Sequence, residues 1–281
     1  MNKSKKICII IAISLIVLGL ILCTASCSKW SLGWRELAEN IHYDIQNELR
    51  QDNKDTGTTD GDKNWTIQEL RFPASEINNL SVITVSDNTL LQLNLGSDEI
   101  IVRYPDCSSY GYNVYTADQT LNVEWRQEDI LQTLFNWNGS DPAVEIWVPA
   151  SFMDTGKNRI DMETVSGDVT VSQINCREFY FSSVSADLDI TGGDFQVLKA
   201  DTVSGELDIE GNGQSIEANT VSGDIELRLT DGPEEYTINF DTVSGDISGI
   251  TGYKGARQIN VETASGDLEL EYQLSAGKNS Q

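Results

Sequence analysis

Six acidic residues recur in one setting along the second half of the chain: Asp168, Asp187, Glu206, Asp224, Asp246 and Asp267. They sit in "ETVSGDVTV", "SSVSADLDI", "DTVSGELDI", "NTVSGDIEL", "DTVSGDISG" and "ETASGDLEL". Carboxylates repeated this way suggest three kinds of chemistry. Neighbouring pairs could share a divalent cation such as calcium, which takes several oxygen ligands. A pair could cleave a glycosidic bond, one member as acid and the other as base or nucleophile. A carboxylate could also orient a base beside one of the serines. The serine route fails for want of a base: the only histidine, His42, lies far upstream, and no lysine holds a fixed place in the repeats. Repetition also speaks against catalysis, which needs one constellation rather than six equal ones. A polysaccharide-processing enzyme would want an aromatic groove and a basic residue near its carboxylates. Trp125, Trp137 and Trp147 stand outside the repeats and read as core or edge cover, with sugar platforms as the alternative. The chain is therefore read as no enzyme, with no catalytic residue and no cofactor; a polysaccharide-processing enzyme is the remote alternative.

The remaining question is what positions these residues. Aligned on Ser166, Ser185, Ser204, Ser222, Ser244 and Ser265, the copies are spaced 19, 19, 18, 22 and 21 residues apart. A fixed period near 20 is the signature of a solenoid. After each serine comes an apolar pair at i, i+2, such as Val169 and Val171 or Leu207 and Ile209. Before it stands another, such as Ile160 and Met162 or Ile216 and Ala218. The two pairs have opposite parity, so one continuous strand cannot send both inward. Each rung must bend between them, and the corners Ser166-Gly167, Ser204-Gly205, Ser222-Gly223, Ser244-Gly245 and Ser265-Gly266 are the place. Glycine suits a bend because it lacks a Cβ and tolerates unusual dihedrals; in the second copy Ala186 replaces it.

The expected fold is all-β: a parallel β-solenoid of about 20-residue rungs, stacked about 4.8 Å apart. Stacking turns the six acids into a column in which neighbours repel by about 0.9 kcal/mol in water. The expectation is that each aspartate accepts hydrogen bonds from its own turn. Calcium between carboxylates is the alternative, although the calcium-binding nonapeptide repeat is absent. The strands of residues 65–155 are expected to add further rungs, with a separate β unit as the alternative.

The N-terminus gives the setting. "MNKSKK" precedes nineteen uncharged residues, Ile7 to Ala25, which as a helix span roughly 29 Å, one hydrocarbon core. A cleavable signal has a shorter apolar region, so a membrane anchor is expected over residues 1–27, lysines cytoplasmic and the rest outside. A lipoprotein signal ending at Cys27 is the alternative. Residues 28–64 read as a juxtamembrane helix, striped by Leu37, Ile41, Ile45 and Leu49, followed by a polar linker. The solenoid domain occupies 65–275, with repeats from about 158, and 276–281 form a tail. With 44 acidic and 19 basic residues the net charge is -25, which excludes nucleic acid as a partner and favours cationic ones. Cys107 and Cys176 could pair outside the cell, although two separate buried thiols fit two lone cysteines better.

This arrangement of lysine-headed anchor, linker and apolar-x-apolar-x-Thr-x-Ser-Gly-Asp-apolar-x-apolar repeats resembles a bacterial family of membrane-anchored candidate adhesins of unknown function. Residues 160–171, 198–209, 216–227, 238–247 and 259–270 match its pattern, and 179–190 match it with alanine for glycine. The resemblance implies a solenoid that binds or scaffolds at the cell envelope, with a wall component or envelope protein as partner. An accessory role in an envelope-stress system, through a membrane partner, is the alternative. The family carries over no catalytic residues.

Overall fold

Short runs that alternate apolar and polar residues can bury one face only by pairing edge to edge with neighbours of the same pattern. The computed structural model describes residues 66–106, 110–127, 143–153 and 156–273, which belong to a single compact unit. The expected anchor, juxtamembrane helix, linker and tail, with Cys27, His42, Cys107 and Trp137, lie outside the described residues. Among those described, no helix is long and apolar enough to cross a membrane.

The described residues form seventeen strands in one continuous sheet, mostly parallel, that coils on itself. Each rung has a leading strand, a corner and a trailing strand. The leading strands are β2 (Asn79–Ile83), β8 (Arg159–Thr164), β10 (Cys176–Ser183), β14 (Tyr236–Thr242) and β16 (Arg257–Thr263). The trailing strands are β3 (Thr89–Asn94), β9 (Val169–Ser172), β13 (Ile225–Leu229), β15 (Ile247–Ser248) and β17 (Leu268–Tyr272). The long strands β11 (Leu188–Asp201) and β12 (Leu207–Thr220) each run from the trailing face of one rung to the leading face of the next. Val169, Leu188, Leu207 and Ile225 stack one above another in register, as do Ile160, Phe179, Leu198 and Ile216. All eight are buried in one core.

The stacking order departs from chain order at one end. Copy six lies directly on copy four, through Ile216↔Ile259 and Ile225↔Leu268. Copy five is outermost, through Ile238↔Ile259 and Ile247↔Leu268. Copy five is the poorest rung, because Gly249 stands where copy six has Leu270. Placing it last leaves the better apolar pairs inside.

At the other end the strands of 65–155 join the same core. β2 and β3 form a further rung beneath β8 and β9. Its corner, Thr84-Val85-Ser86-Asp87-Asn88, is a seventh copy of the repeat with Asp87 for glycine and Asn88 for aspartate. Beyond it, β6 (Thr120–Gln127) and β7 (Val144–Pro149) continue in parallel, on β2 and β3 respectively. The antiparallel strands β1 (Thr66–Pro73), β4 (Glu99–Asp106) and β5 (Tyr110–Ala117) complete this end. The region is thus solenoid first and antiparallel meander second.

Of the two reasons expected for the corner glycines, the missing Cβ is the one that applies and dihedral freedom is not needed. None of Gly167, Gly205, Gly223, Gly245 or Gly266 has positive φ. A Cβ built on Gly205 would lie 1.8 Å from the Ala186 carbonyl oxygen, and one on Gly223 would lie 1.9 Å from that of Gly205. Successive rungs touch backbone to backbone at this point.

Gly205→Ala should therefore destabilise the protein by about 1–3 kcal/mol through overpacking. Gly96→Ala, whose nearest contact would be Asn94 at 3.6 Å, should stay within about 0.5 kcal/mol of the parent. Urea midpoints measure both, and equal midpoints would refute the spatial account.

Candidate functional site

The corner column is built from three side chains per rung, each with a separate task. Threonine braces its own turn: the Gly167 N–H donates to Thr164 Oγ1 (3.1 Å), and Gly205, Gly223, Gly245 and Gly266 repeat the bond to Thr202, Thr220, Thr242 and Thr263. This is a hydroxyl-closed turn of the kind serine and threonine form locally. The second copy differs in both respects. Ser183 replaces threonine, and its hydroxyl donates to the Ala186 carbonyl at 3.1 Å, so the corner that admits a methyl group is also braced differently.

Serine faces the preceding rung. The amides of Ser166, Ser185, Ser204, Ser222 and Ser265 donate to the carbonyls of Val85, Val165, Val184, Val203 and Val221. Ser244 donates to the carbonyl of Ala264. The hydroxyls of Ser166, Ser185, Ser204, Ser244 and Ser265 lie 3.3–3.4 Å from the same oxygens. A hydroxyl facing a carbonyl in this way, with no basic side chain beside it, is not an activated nucleophile.

The acids reach across rungs, and here the expectation of bonds within their own turns is corrected. Asp168 Oδ1 accepts the Asp187 N–H (3.1 Å), Asp187 Oδ1 that of Glu206 (2.8 Å), Asp224 Oδ1 that of Asp267 (2.9 Å) and Asp267 Oδ1 that of Asp246 (2.8 Å). Asn88 Oδ1 plays the same part for Asp168 (3.1 Å). A hydrogen bond to a charged acceptor contributes about 1.5 kcal/mol or more, which offsets the repulsion of about 0.9 kcal/mol between neighbouring carboxylates in water. The column is thus a set of brackets. One link is missing among the described residues: Glu206, longer by a methylene, makes no bond to the Asp224 amide.

Each bracketing carboxylate commits one oxygen to an amide. Among the described residues, no group of three or more His, Cys, Asp or Glu side chains is placed to hold a metal ion. Cys176 is a free, buried thiol, and burial pushes it up to about 12.

Beside the corners lies the outward face of the trailing strands. In one row Asp189, Asp208, Glu226 and Glu269 are register neighbours; in the next, Glu210, Arg228 and Glu271 are. Arg228 bridges Asp208 and Glu226, and its hydrogen bond to Asp208 holds the guanidinium even further above its ordinary range. Six acids and one base therefore share a flat strip, flanked by the bracketing acids. The leading face is mixed instead: Lys199 bridges Asp201 and Glu217, and burial raises Asp201 above the usual carboxylate range.

A shallow cleft of about 250 Å³ is lined by Phe195, Arg257 and polar side chains, and Arg257 is already paired with Asp231. At the antiparallel end, the Tyr112 hydroxyl donates to the buried Asp87 carboxylate. Burial and that negative charge push Tyr112 well above the ordinary phenol range. Asp87 occupies the glycine position of the seventh copy, so Tyr112 marks where the glycine column ends. Sequence reading missed this copy, though "TVS" at 84–86 was its signal. Of the tryptophans, Trp147 stacks under Arg103 at 4.8 Å and Trp125 packs against the core.

A family model described as Toastrack DUF4097 matches residues 70–281. Among solved structures, the chain is similar to a candidate cell adhesion protein from Clostridium sporogenes at 13% identity. That match covers 74% of this chain and 99% of that one, with a TM-score of 0.44. A candidate adhesin from Bacteroides fragilis matches at 15% identity over 74% and 97%, with a TM-score of 0.35. One from Parabacteroides merdae matches at 11% over 75% and 97%, with a TM-score of 0.36. Comparison with curated proteins finds no match.

Glu206→Asp should restore the missing bracket and raise stability by about 0.5–1.5 kcal/mol; a lowered urea midpoint would show that the column does not act as described. Thermal melts in calcium and in chelator should share one midpoint, whereas a rise with calcium would make the column a cation site.

Proposed function

We propose a binding or scaffolding role, without catalysis, for this chain, which belongs to the Toastrack DUF4097 family. It is held at the cell envelope by the apolar segment of residues 7–25, with its β-solenoid outside the membrane and its acidic strip presented to a cationic partner in the wall or on another envelope protein. The observation that carries the reading is the strip itself. Six carboxylates from Asp189 to Glu271 lie on a flat parallel sheet with only Arg228 among them, and the corner acids extend the negative field along the rod. A flat one-sign surface attracts a charged partner over a wide area and speeds its approach. It does not enclose a small substrate, as the concave site of an enzyme does. The apolar segment supports the location: nineteen uncharged residues headed by three lysines match a single span with a cytoplasmic start.

Retention of the purified full chain on wall fragments tests the reading. Binding should fall with ionic strength, and the triple variant D189N/E269Q/E271Q should lose about threefold to tenfold. Equal, salt-independent retention of parent and variant would refute it. Deleting residues 1–27 should leave binding intact; loss of binding by a folded deletion variant would instead favour action through a partner in the membrane.

A further inference from the structure

The outermost rung, copy five, is unlike every other. The apolar columns that run through the rod reach the surface here. Leu268 is 1% exposed, yet its neighbour Ile247 is 42% exposed. Ile238 and Phe240 are half-buried although their stacking partners Ile259 and Val261 are buried. Val243, Ile250 and Tyr253 are exposed around them. Repeat arrays ordinarily end in a capping unit with a polar outer face. This end has an apolar one.

The backbone tells the same story independently. In the inner rungs the corner carbonyls of Val85, Val165, Val184, Val203 and Val221 each receive a serine amide from the next rung. The equivalent carbonyl of Val243 receives none among the described residues. Asp168, Asp187, Asp224 and Asp267 each receive an amide on Oδ1, and Asp246, last in the column, receives none among them. β14 pairs with β16 on one side, and on the other only its start is covered, by the bridge from Thr237 to Lys254. Among the described residues the edge is open from Ile238 through β15. The Thr242 brace of the turn is nevertheless in place, with the Gly245 N–H at 2.8 Å, so the corner is formed and presented.

We propose that this end is a strand-docking site that takes an extended segment of a partner protein as one further parallel rung. The chemistry of that segment follows from what it must meet: two alternating apolar residues over Ile238 and Phe240, and a small corner residue over the Gly245 carbonyl. It must also bring a backbone amide to Asp246 and another apolar residue over Ile247. Its outward positions are basic, because Asp241 and Asp246 flank the edge and no base lies between Ile238 and Tyr253. A second copy of the chain fits worse. Two such ends brought together would oppose the same aspartates on chains of net charge -25, and a two-fold pairing is antiparallel where the open corner calls for a parallel rung. Main-chain pairing would supply affinity and the alternate side chains specificity, as in other strand additions. This inference concerns the end of the rod and does not rest on the role assigned to the acidic strip.

The probe is a fluorescent synthetic peptide, Ile-Lys-Phe-Lys-Thr-Val-Ser-Gly-Lys-Ile-Lys-Val, titrated with the purified full chain and read by anisotropy. Saturable binding below about 1 mM is expected. Ile247→Lys should weaken it by about tenfold or more, while Leu95→Lys, at an exposed site elsewhere, should not; circular-dichroism melts confirm that both variants fold. A peptide with glutamate in place of lysine should bind about tenfold more weakly. Absence of saturable binding, or binding indifferent to Ile247→Lys, would overturn the proposal. So would self-association in the ultracentrifuge that Ile247→Lys abolishes and the peptide does not compete away, since the occupant would then be a second copy.

Discussion

The fold depends on one close approach. At each corner the backbone of a rung lies against the carbonyl of its neighbour so tightly that a single added carbon would sit about 2 Å from oxygen, as at Gly167, Gly205, Gly223, Gly245 and Gly266. That contact sets the distance between coils, and everything periodic in the molecule inherits it. The apolar columns pack because the rungs above and below meet in register. The serine amides reach the preceding carbonyls because the corners superpose. The carboxylates reach the next amide because an aspartate is long enough for one inter-rung step. Where the glycine is absent the surroundings change with it: Ala186 comes with Ser183 in place of threonine, and Asp87 comes with the Tyr112 hydroxyl at the end of the column.

Electrostatics works within that geometry. A net charge of -25 works against a column of carboxylates about 4.8 Å apart. The structure manages it by giving each bracketing acid a backbone donor, so that charge repulsion is offset locally by charge-assisted hydrogen bonds. The acids on the trailing face take side-chain donors instead, Arg228 on Asp208 and Glu226 and the Thr191 hydroxyl on Asp189. The same residue type thus serves two ends: at the corner it is architecture, and on the flat strip it is surface field.

Much of this was legible in the residues. The period near 20, the opposite parity of the Ile160/Met162 and Val169/Val171 pairs, and the bend at Ser-Gly all follow from rules that act within one rung. Strand alternation is a local property, and a change of parity must be resolved close by in the chain. That the repeat serines lack a partner base could be read the same way, from the want of histidine and of a lysine at a fixed place beside Ser166 and its counterparts. The seventh copy at Thr84–Asn88 escaped notice because its two most distinctive letters, glycine and aspartate, are replaced by aspartate and asparagine.

The sequence by itself determined that rungs exist, where they bend and which side chains point inward. Tertiary structure alone decided which rung lies on which. Copy six rests on copy four, so the Asp267 amide bonds Asp224, 43 residues away, and copy five is left outermost with an open edge. The physical reason is degeneracy. Every rung offers the same corner and nearly the same apolar pairs, so nothing inside one copy names its neighbour. The order is settled by the sum of packing along the whole stack, where the rung carrying Gly249 costs least at the end.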